Sequence, residues 1–281
     1  MVRTILKFFN KETGSLHQAA YLLGLFAILS HVLAFLRDRL LASIFGAGQE
    51  LDIYYAAFRI PDFIFVSVAS VVSLSVLVPF IVEKENGGKE KVMEFISDIF
   101  TFFFMFIVAV SVVAYFLMPQ ITGLLFKGFN PNELESITFL SRVLLLSPIF
   151  LGFSNLFGSL TQAYNRFFVY ALAPLLYNAG IIIGIIFLTP EWGIFGVVCG
   201  VILGAAFHLA IQIPFITAMG FMPRLRTTFN YESIKRVVKL SMPRTLTLSA
   251  SQLAVLFLVS MASLMTVGSI SVFSFSLNIQ S

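Results

Sequence analysis

The chain has 281 residues, of which 58% are hydrophobic and only 11% are charged, and its formal net charge is +4. A soluble domain carries about 25% charged residues, so this composition excludes a water-soluble protein and indicates one whose solvent is a lipid bilayer. The single cysteine, Cys199, lies inside an apolar run, which excludes a disulfide framework and a thiolate metal site.

The predicted elements are membrane helices, since a span needs about 20 apolar residues. In chain order we predict helices at 16–45, 51–82, 95–118, 137–160, 168–188, 194–218 and 234–265, and an eighth that begins at residue 269. Polar connections separate them. We expect a glycine turn at 45–48, a helix cap at Asn132 and a partly helical amphipathic segment within 222–236. The predicted fold class is therefore all-α, a polytopic membrane helix bundle.

Lysine and arginine favour a cytoplasmic N-terminus, because cytoplasmic loops carry an excess of these residues. In that orientation the following positions fall on the cytoplasmic side: Arg3, Lys7, Lys11, Lys84, Lys89, Lys91, Arg166, Arg224, Arg226, Lys235, Arg236, Lys239 and Arg244. Lys127 falls outside, and Arg37 and Arg39 lie near or within the membrane.

The segment 35–63 places seven charged residues between two apolar stretches. A charge inside a membrane helix costs at least a few kcal/mol, so it faces a partner or a wet cavity. Ser30 and Arg37 are seven residues apart, as are Asp52 and Arg59, so each pair lies on one helix face. The short glycine turn makes the two helices antiparallel neighbours. The spacing therefore indicates a polar cavity wall.

In this interpretation Arg37 and Arg59 donate to an anionic group, because guanidinium matches phosphate geometry better than ammonium does. Asp38 and Asp52 would hold the arginines in place or compete with the ligand. Structural roles stay open: the charges at 37–39 could end a shorter first helix, and Asp52 could lie in the first turn of the second. Arg59 and Asp62 could form a structural ion pair around a kink at Pro61. His31, inside the first span, is either a packed residue or a proton relay.

No motif in the sequence predicts catalysis. The three histidines lack metal-ligand spacing, and the chain contains neither a GxxxxGK phosphate loop nor a Gly-x-Ser-x-Gly elbow. We therefore predict no catalytic residue, no metal ligand, no cofactor and no nucleic-acid partner, and we do not expect an enzyme.

A set of short motifs resembles the signature of one transporter family. They are "SHVLAFLRD" (30–38), "FGAG" (45–48), Asp52, "AFRIPD" (57–62), "VPF" (78–80), "NRF" (165–167) and "PLLYN" (174–178). In order and spacing they resemble the MurJ (MviN) family, the lipid II flippases of the MOP transporter superfamily. The resemblance implies two six-helix lobes around a cationic cavity that alternates between the two faces of the cytoplasmic membrane.

On this resemblance we expect 1–221 to form a MOP-type N-terminal lobe of six helices behind a cytoplasmic N-terminal segment. Residues 222–281 would form a linker and the start of the second lobe, with helix seven and part of helix eight. Arg37 matches a cavity arginine that receives a substrate diphosphate, and Asp38 and Asp52 match its neighbouring acids. The candidate substrate-binding residues are Arg37, Asp38, Asp52, Arg59, Ser30 and His31.

Three arginines of the family are replaced here, by His31, Phe65 and Asn278. The substrate therefore stays open between lipid II and another polyprenyl-diphosphate-linked glycan. A multidrug exporter of MOP type, coupled through Asp38 and Asp52, and a non-transporting scaffold of the cell-wall machinery are the alternatives. The expected partners are a lipid-linked diphosphate substrate and membrane lipids. A whole transporter needs a complete second lobe, so we expect either a fragment or a half-unit that pairs with a second copy.

Overall fold

The computed structural model describes residues 16–72 and 74–280, and the regular elements in these ranges are helical. The helices are α1 (Leu16–Phe45), α2 (Gln49–Ala69), α3 (Leu74–Glu85), α4 (Lys89–Leu125), α5 (Pro131–Leu144), α6 (Leu146–Ala163), α7 (Phe167–Ile183), α8 (Thr189–Trp192), α9 (Ile194–Ala210), α10 (Ile213–Met219), α11 (Tyr231–Ala262) and α12 (Ser269–Gln280). The positions predicted to be cytoplasmic at Arg3, Lys7 and Lys11 lie outside the described residues.

Six helical stretches in the described ranges are long and apolar enough to cross a membrane: His17–Phe45, Lys89–Leu125, Pro131–Ala163, Phe167–Trp192, Ile194–Met219 and Tyr231–Ala262. They correspond to the first and to the third through seventh predicted spans. The second predicted span, 51–82, is divided, because α2 ends at Ala69 and a 3-10 turn at Ser70–Val72 separates it from α3. At this break the backbone carbonyl of Val71 accepts a hydrogen bond from Ser241 Oγ of α11 at 2.7 Å, which satisfies a carbonyl that the interrupted helix leaves free.

Successive long helices run in opposite directions, so their connections gather at two ends of the bundle. At one end Glu85, Tyr164 and Phe221 line the same small pocket. At the other end Gly128 lies against the backbone of Ser263. The connections 85–89, 163–167 and 219–231 therefore lie at one end, and most of the described cationic positions predicted to be cytoplasmic belong to them or to the adjoining helix ends.

The cap of α5 lies two residues before its predicted position at Asn132. Asn130 Oδ1 accepts from the backbone N–H of Glu133 at 3.0 Å, and Glu133 Oε2 accepts from the backbone N–H of Asn130 at 2.7 Å. This reciprocal pair satisfies two amides that a helix start would otherwise leave unpaired. Pro131 then occupies the first helical position, where its missing N–H costs nothing. The prediction of Asn132 as the cap is therefore wrong.

The segment 222–236 is helical only from Tyr231 onward, and residues 221–230 form an irregular connection. Side chains on one face of α4 bind its backbone, which explains why it is not a helix. Ser97 Oγ accepts from Arg224 N at 3.2 Å and Thr101 Oγ1 accepts from Arg226 N at 3.0 Å. Asp98 Oδ2 accepts from the backbone N–H of Asn230 at 3.1 Å. These bonds replace the intrahelical ones that a surface helix would have made.

Glycines bring α7 and α9 into backbone contact. A Cβ added to Gly180 would lie 2.3 Å from the Cα of Gly204, and one added to Gly184 would lie 2.4 Å from the Cα of Gly200. Small residues at such positions let membrane helices approach closely and gain van der Waals contact. This close contact between α7 and α9 fixes the position of α7. Tyr177 and Asn178 of α7 lie at or beside the cavity described below.

Gly180→Ala is expected to destabilise the protein, because the new methyl group would overlap backbone atoms that cannot rotate away. Overpacking of this kind costs about 1–3 kcal/mol, so the midpoint of thermal unfolding in detergent should fall by several degrees. Gly123→Ala is the matched control, since an added Cβ there meets nothing within 4 Å and alanine favours helix. Equal unfolding midpoints for the two variants would contradict the close contact of α7 and α9.

Candidate functional site

A cavity of about 330 Å³ lies between α1, α2, α5, α6, α7 and α12. Its volume falls in the lower part of the range for ligand-binding pockets, about 300–1,000 Å³. Its lining combines charged, tyrosyl and apolar side chains. They are Arg37, Asp38, Leu41, Tyr54, Tyr55, Phe58, Arg59, Pro61, Asp62, Phe65, Leu144, Ser147, Pro148, Leu151, Tyr177, Ile181 and Asn278.

Arg37 of α1 is held in a fixed orientation at the wall of the cavity. Its Nε donates to Asp38 Oδ1 at 2.8 Å, and its Nη2 lies 2.8 Å from the same oxygen. Its Nη1 donates to Asn178 Oδ1 of α7 at 3.1 Å. A guanidinium carries five N–H groups, so two acceptor oxygens do not exhaust its donors. The remaining donors are available to a planar or tetrahedral oxyanion in the cavity.

Asn178 connects Arg37 to Ser30. These two residues lie seven positions apart on one face of α1, so a single side chain of α7 can bind both. Its Nδ2 donates to Ser30 Oγ at 3.2 Å and to the backbone carbonyl of Pro174 at 3.2 Å. Asn178 is buried, and these bonds orient its amide oxygen toward Arg37. Ser30 therefore lies one contact behind the cavity wall and supports Asn178.

Arg59 and Asp62 of α2 supply the second charged part of the cavity. Arg59 Nη2 donates to Ser274 Oγ of α12 at 2.8 Å. Its Nε is buried and has no hydrogen-bond partner within the described ranges. Counted with Arg37 and Asp38, the described lining holds two arginines and two aspartates. The cavity is thus charge-balanced, whereas the family resemblance implied a cationic one.

Three tyrosines that the sequence analysis did not select also line the cavity: Tyr54, Tyr55 and Tyr177. The hydroxyl of Tyr55 is buried and has no hydrogen-bond partner among the residues that the structure describes. Tyr55, Arg59 and Asp62 are spaced i, i+4, i+7, which puts them on one face of α2. Extending the seven-residue spacing argument from Asp62 back to residue 55 would have found Tyr55.

Asp52 lies outside the cavity and anchors the start of α12. One carboxylate oxygen accepts from the backbone N–H of Gly268 at 2.6 Å, and the other accepts from the N–H and Oγ of Ser271 at 2.7 and 2.5 Å. The side chain is buried. A negative charge at a helix N-terminus meets amides that lack an intrahelical partner. Asp52 therefore joins α2 to α12.

Further contacts continue along α12, and we call the whole set the α12 seam. The ring of Tyr55 meets that of Phe275 edge to face, with centroids 5.7 Å apart. Asn278 Nδ2 donates to Asp38 Oδ2 at 3.0 Å. Asp52 and Arg59 do share a face of α2, as their spacing predicts, but α12 covers that face. The structure therefore does not bring Asp52 into the cavity.

His31 is placed differently from the other candidate residues. It is exposed on α1, as is Arg39, and neither lines the cavity. Arg37, Asp38 and Arg59 are thus the predicted residues that meet in one cavity, with Ser30 behind them. Within residues 16–72 and 74–280, no group of three or more His, Cys, Asp or Glu side chains is placed to hold a metal ion.

The helix arrangement, with its cavity lined by charged residues, defines a polytopic membrane protein with the MOP transporter fold. The structure of a lipid II flippase MurJ in an inward closed conformation matches with a TM-score of 0.77 at 24% identity, over 92% of this chain and 54% of that one. An inward-facing multidrug resistance MATE family transporter of the MOP superfamily matches with a TM-score of 0.65 at 18% identity, over 89% and 57%. At these identities the likeness establishes the fold.

Sequence comparison identifies the family. The family model described as "Lipid II flippase MurJ" matches residues 41–281, so the chain belongs to the MurJ family. The probable lipid II flippase MurJ of Buchnera aphidicola subsp. Acyrthosiphon pisum is 27% identical over 253 residues, which cover 88% of this chain and 50% of that protein. The chain spans about half the length of the curated relatives it matches.

Asp52→Asn is expected to loosen the start of α12, because the amide NH₂ would face a backbone or hydroxyl donor in place of an acceptor oxygen. A buried donor without a partner costs about 1–3 kcal/mol. Hydrogen–deuterium exchange followed by mass spectrometry should therefore show faster exchange in peptides covering 266–275. Glu50→Gln, an exposed change in the same turn of α2, is the control. Unchanged protection of 266–275 in Asp52→Asn would refute the anchoring role.

Proposed function

We propose that this chain is part of a MurJ-type flippase that moves a polyprenyl-diphosphate-linked glycan across the bacterial cytoplasmic membrane. Lipid II or a related peptidoglycan precursor is the substrate class. Membership of the MurJ family supports this function, and so does a cavity that opens between membrane-spanning helices and presents guanidinium donors. The proposed activity is transport by alternating access, with no covalent change to the substrate.

The orientation of Arg37 is the observation that carries the proposal. Asp38 and Asn178 fix its guanidinium at the cavity wall while leaving donors unused. A diphosphate fits the role because its oxygens can take two parallel N–H bonds from one guanidinium. Arg59 provides a second cation in the same cavity. In this proposal Arg37 is the principal anion contact, and Asp38 positions it.

The proposed organisation follows the lobes of a MOP transporter. Residues 1–221 form the N-terminal lobe, and residues 222–281 form the connection and the beginning of a second lobe. The N-terminus lies in the cytoplasm, which the gathering of Lys and Arg at one end of the bundle supports. Since the chain spans about half the length of its relatives, the transporting unit contains a second lobe, on the same polypeptide or on a second copy.

Alternating access requires that one end of the cavity be closed while the other opens. The α12 seam supports closure at the end that this orientation places outside the cell, because Asp52 bonds the start of α12 there. The seam also reaches the charged pair at Arg37 and Asp38 through Asn278. Opening the outer end therefore involves separating α12 from α1 and α2.

An ion-coupled exporter is the second candidate, and the charge balance of the cavity favours it. Asp38 and Asp62 lie in the same cavity as the two arginines, and carboxylates of this kind suit a cationic substrate or a coupling proton. The fold is also shared with a multidrug resistance MATE family transporter. In this mechanism the aspartates take the central role, and the arginines stabilise them between transport cycles.

Replacing Arg37 separates the two candidates. Hydrogen bonds to a charged group contribute about 1.5–3 kcal/mol, so Arg37→Ala should weaken binding of a short-chain polyprenyl diphosphate by about tenfold or more. Arg37→Lys should retain part of the affinity, because an ammonium keeps the charge but not the planar fork. Native mass spectrometry of the purified protein, titrated with the diphosphate, measures both effects and reports the number of protein copies.

Arg39→Ala is the matched control, since Arg39 lies on the same helix but is exposed. Unfolding midpoints of all variants show whether the fold survives. If diphosphate binding by a folded Arg37→Ala variant equals that of the wild-type protein, the flippase mechanism is wrong as stated. If Asp38→Asn abolishes export of a cationic dye while diphosphate binding is unaltered in the arginine variants, the exporter is the better description.

A further inference from the structure

A second pocket, of about 290 Å³, lies at the end of the bundle where the connections 85–89, 163–167 and 219–231 meet. Its lining is Glu85, Lys89, Tyr164, Arg166, Met219 and Phe221, and it shares no residue with the cavity lined by Arg37. Four candidate spans begin or end at these connections, at Lys89, Ala163, Phe167 and Met219. The pocket therefore lies where candidate membrane spans begin and end.

Aromatic rings form the inner wall of this boundary pocket. Tyr164 and Phe221 are stacked, with ring centroids 4.8 Å apart and planes inclined by 28°. The ammonium of Lys89 lies 5.2 Å from the centroid of Phe221, within the range of a cation–π interaction. Gly220 has a positive φ of 71°, and a Cβ there would come 2.8 Å from Lys89 Nζ. The glycine thus leaves room for the ammonium beside the rings.

Charges of both signs surround these rings. Lys89 and Arg166 are cationic, Glu85 is anionic, and Lys89 and Glu85 are exposed. Burial, and to a smaller extent the negative charge of Glu85, raises the pKa of the Tyr164 hydroxyl, so this group stays protonated and can donate a hydrogen bond. A simple anion would be attracted by the two cations and repelled by Glu85. A group that carries a phosphate and an ammonium a few ångströms apart satisfies all three charges.

We propose that the boundary pocket binds the phosphoethanolamine head group of a membrane phospholipid. The phosphate would lie between Lys89 and Arg166, and the primary ammonium would donate to Glu85 and lie against the ring of Tyr164. Phosphatidylglycerol has no ammonium for Glu85. Phosphatidylcholine carries a quaternary ammonium that has no N–H to donate. The position at the ends of four candidate membrane spans favours a lipid as the source of the head group over a soluble phosphoethanolamine.

This site is independent of the proposed transport cavity, and it is tested on the full chain by native mass spectrometry. The protein is equilibrated in detergent with equal amounts of phosphatidylethanolamine, phosphatidylglycerol and phosphatidylcholine, and the retained lipids are counted. We expect about tenfold higher retention of phosphatidylethanolamine, the value of one charge-assisted hydrogen bond. Retention of phosphatidylglycerol equal to that of phosphatidylethanolamine in the wild-type protein would overturn the proposal.

Two variants test the individual contacts. Glu85→Gln should reduce the preference for phosphatidylethanolamine over phosphatidylglycerol to about twofold or less, whereas Lys89→Ala should weaken retention of all three lipids. Glu90→Gln and Lys91→Ala, which alter exposed neighbours outside the pocket, should leave the preference unchanged. An undiminished preference in Glu85→Gln would overturn the assignment of the ammonium to this residue.

A competition experiment identifies the source of the head group. Soluble glycerophosphoethanolamine is added at increasing concentration to the protein carrying phosphatidylethanolamine. We expect no displacement at concentrations about 100-fold above that of the lipid, because the acyl chains add apolar contact that the soluble compound lacks. Displacement at equal concentrations would show that the pocket serves a soluble compound and would overturn the lipid assignment.

Discussion

The bilayer offers no hydrogen bonds, so the charges between the helices of this protein have to find their partners inside it. Much of that matching comes from α12. Asp52 accepts hydrogen bonds from backbone amides at the start of α12. Arg59 donates to Ser274, and Asn278 donates to Asp38. These partners are 215 to 240 residues apart in sequence. Any displacement of α12 therefore alters the surroundings of three charges at once, which links the shape of the cavity to its electrostatics.

Balance between the charges sets how strongly the cavity can hold a ligand. An anion that enters can use the free donors of Arg37 but competes with Asp38 for its positive charge, and a cation competes with Arg37 for the negative charge of Asp38. Such competition weakens binding in both cases. For the proposed transport this is useful, because a substrate held too firmly on one side of the membrane would not leave on the other. Asn178 restricts the competition to one geometry by holding Arg37 from α7.

Local sequence patterns were sufficient to predict the bounds of α1 and a polar cavity wall that contains Arg37 and Arg59. Long apolar runs, a glycine turn and seven-residue spacing are all short-range signals. The partner of Asp52 lies more than 200 residues away, so no local pattern could assign it to the start of α12. A partly helical segment within 222–236 was predicted, but its start at Tyr231 could not be placed for a similar reason, since side chains of the distant helix α4 bind the backbone of 221–230. The break between α2 and α3 also depends on a distant group, the hydroxyl of Ser241.

The length of α4 affects how α11 can move. Its 37 residues extend about 55 Å, whereas the hydrocarbon core is about 30 Å thick, so α4 extends beyond the core. In the N-terminal part of α4, Ser97, Asp98 and Thr101 bind the backbone of the connection that leads to α11. A connection that is hydrogen-bonded to α4 cannot extend to follow a movement of α11. Relative motion of α11 must therefore either strip these bonds or be absorbed by bending within α11, where Pro243 already interrupts the helical hydrogen bonds. If the connection stays bound to α4, α11 can move only by bending at Pro243.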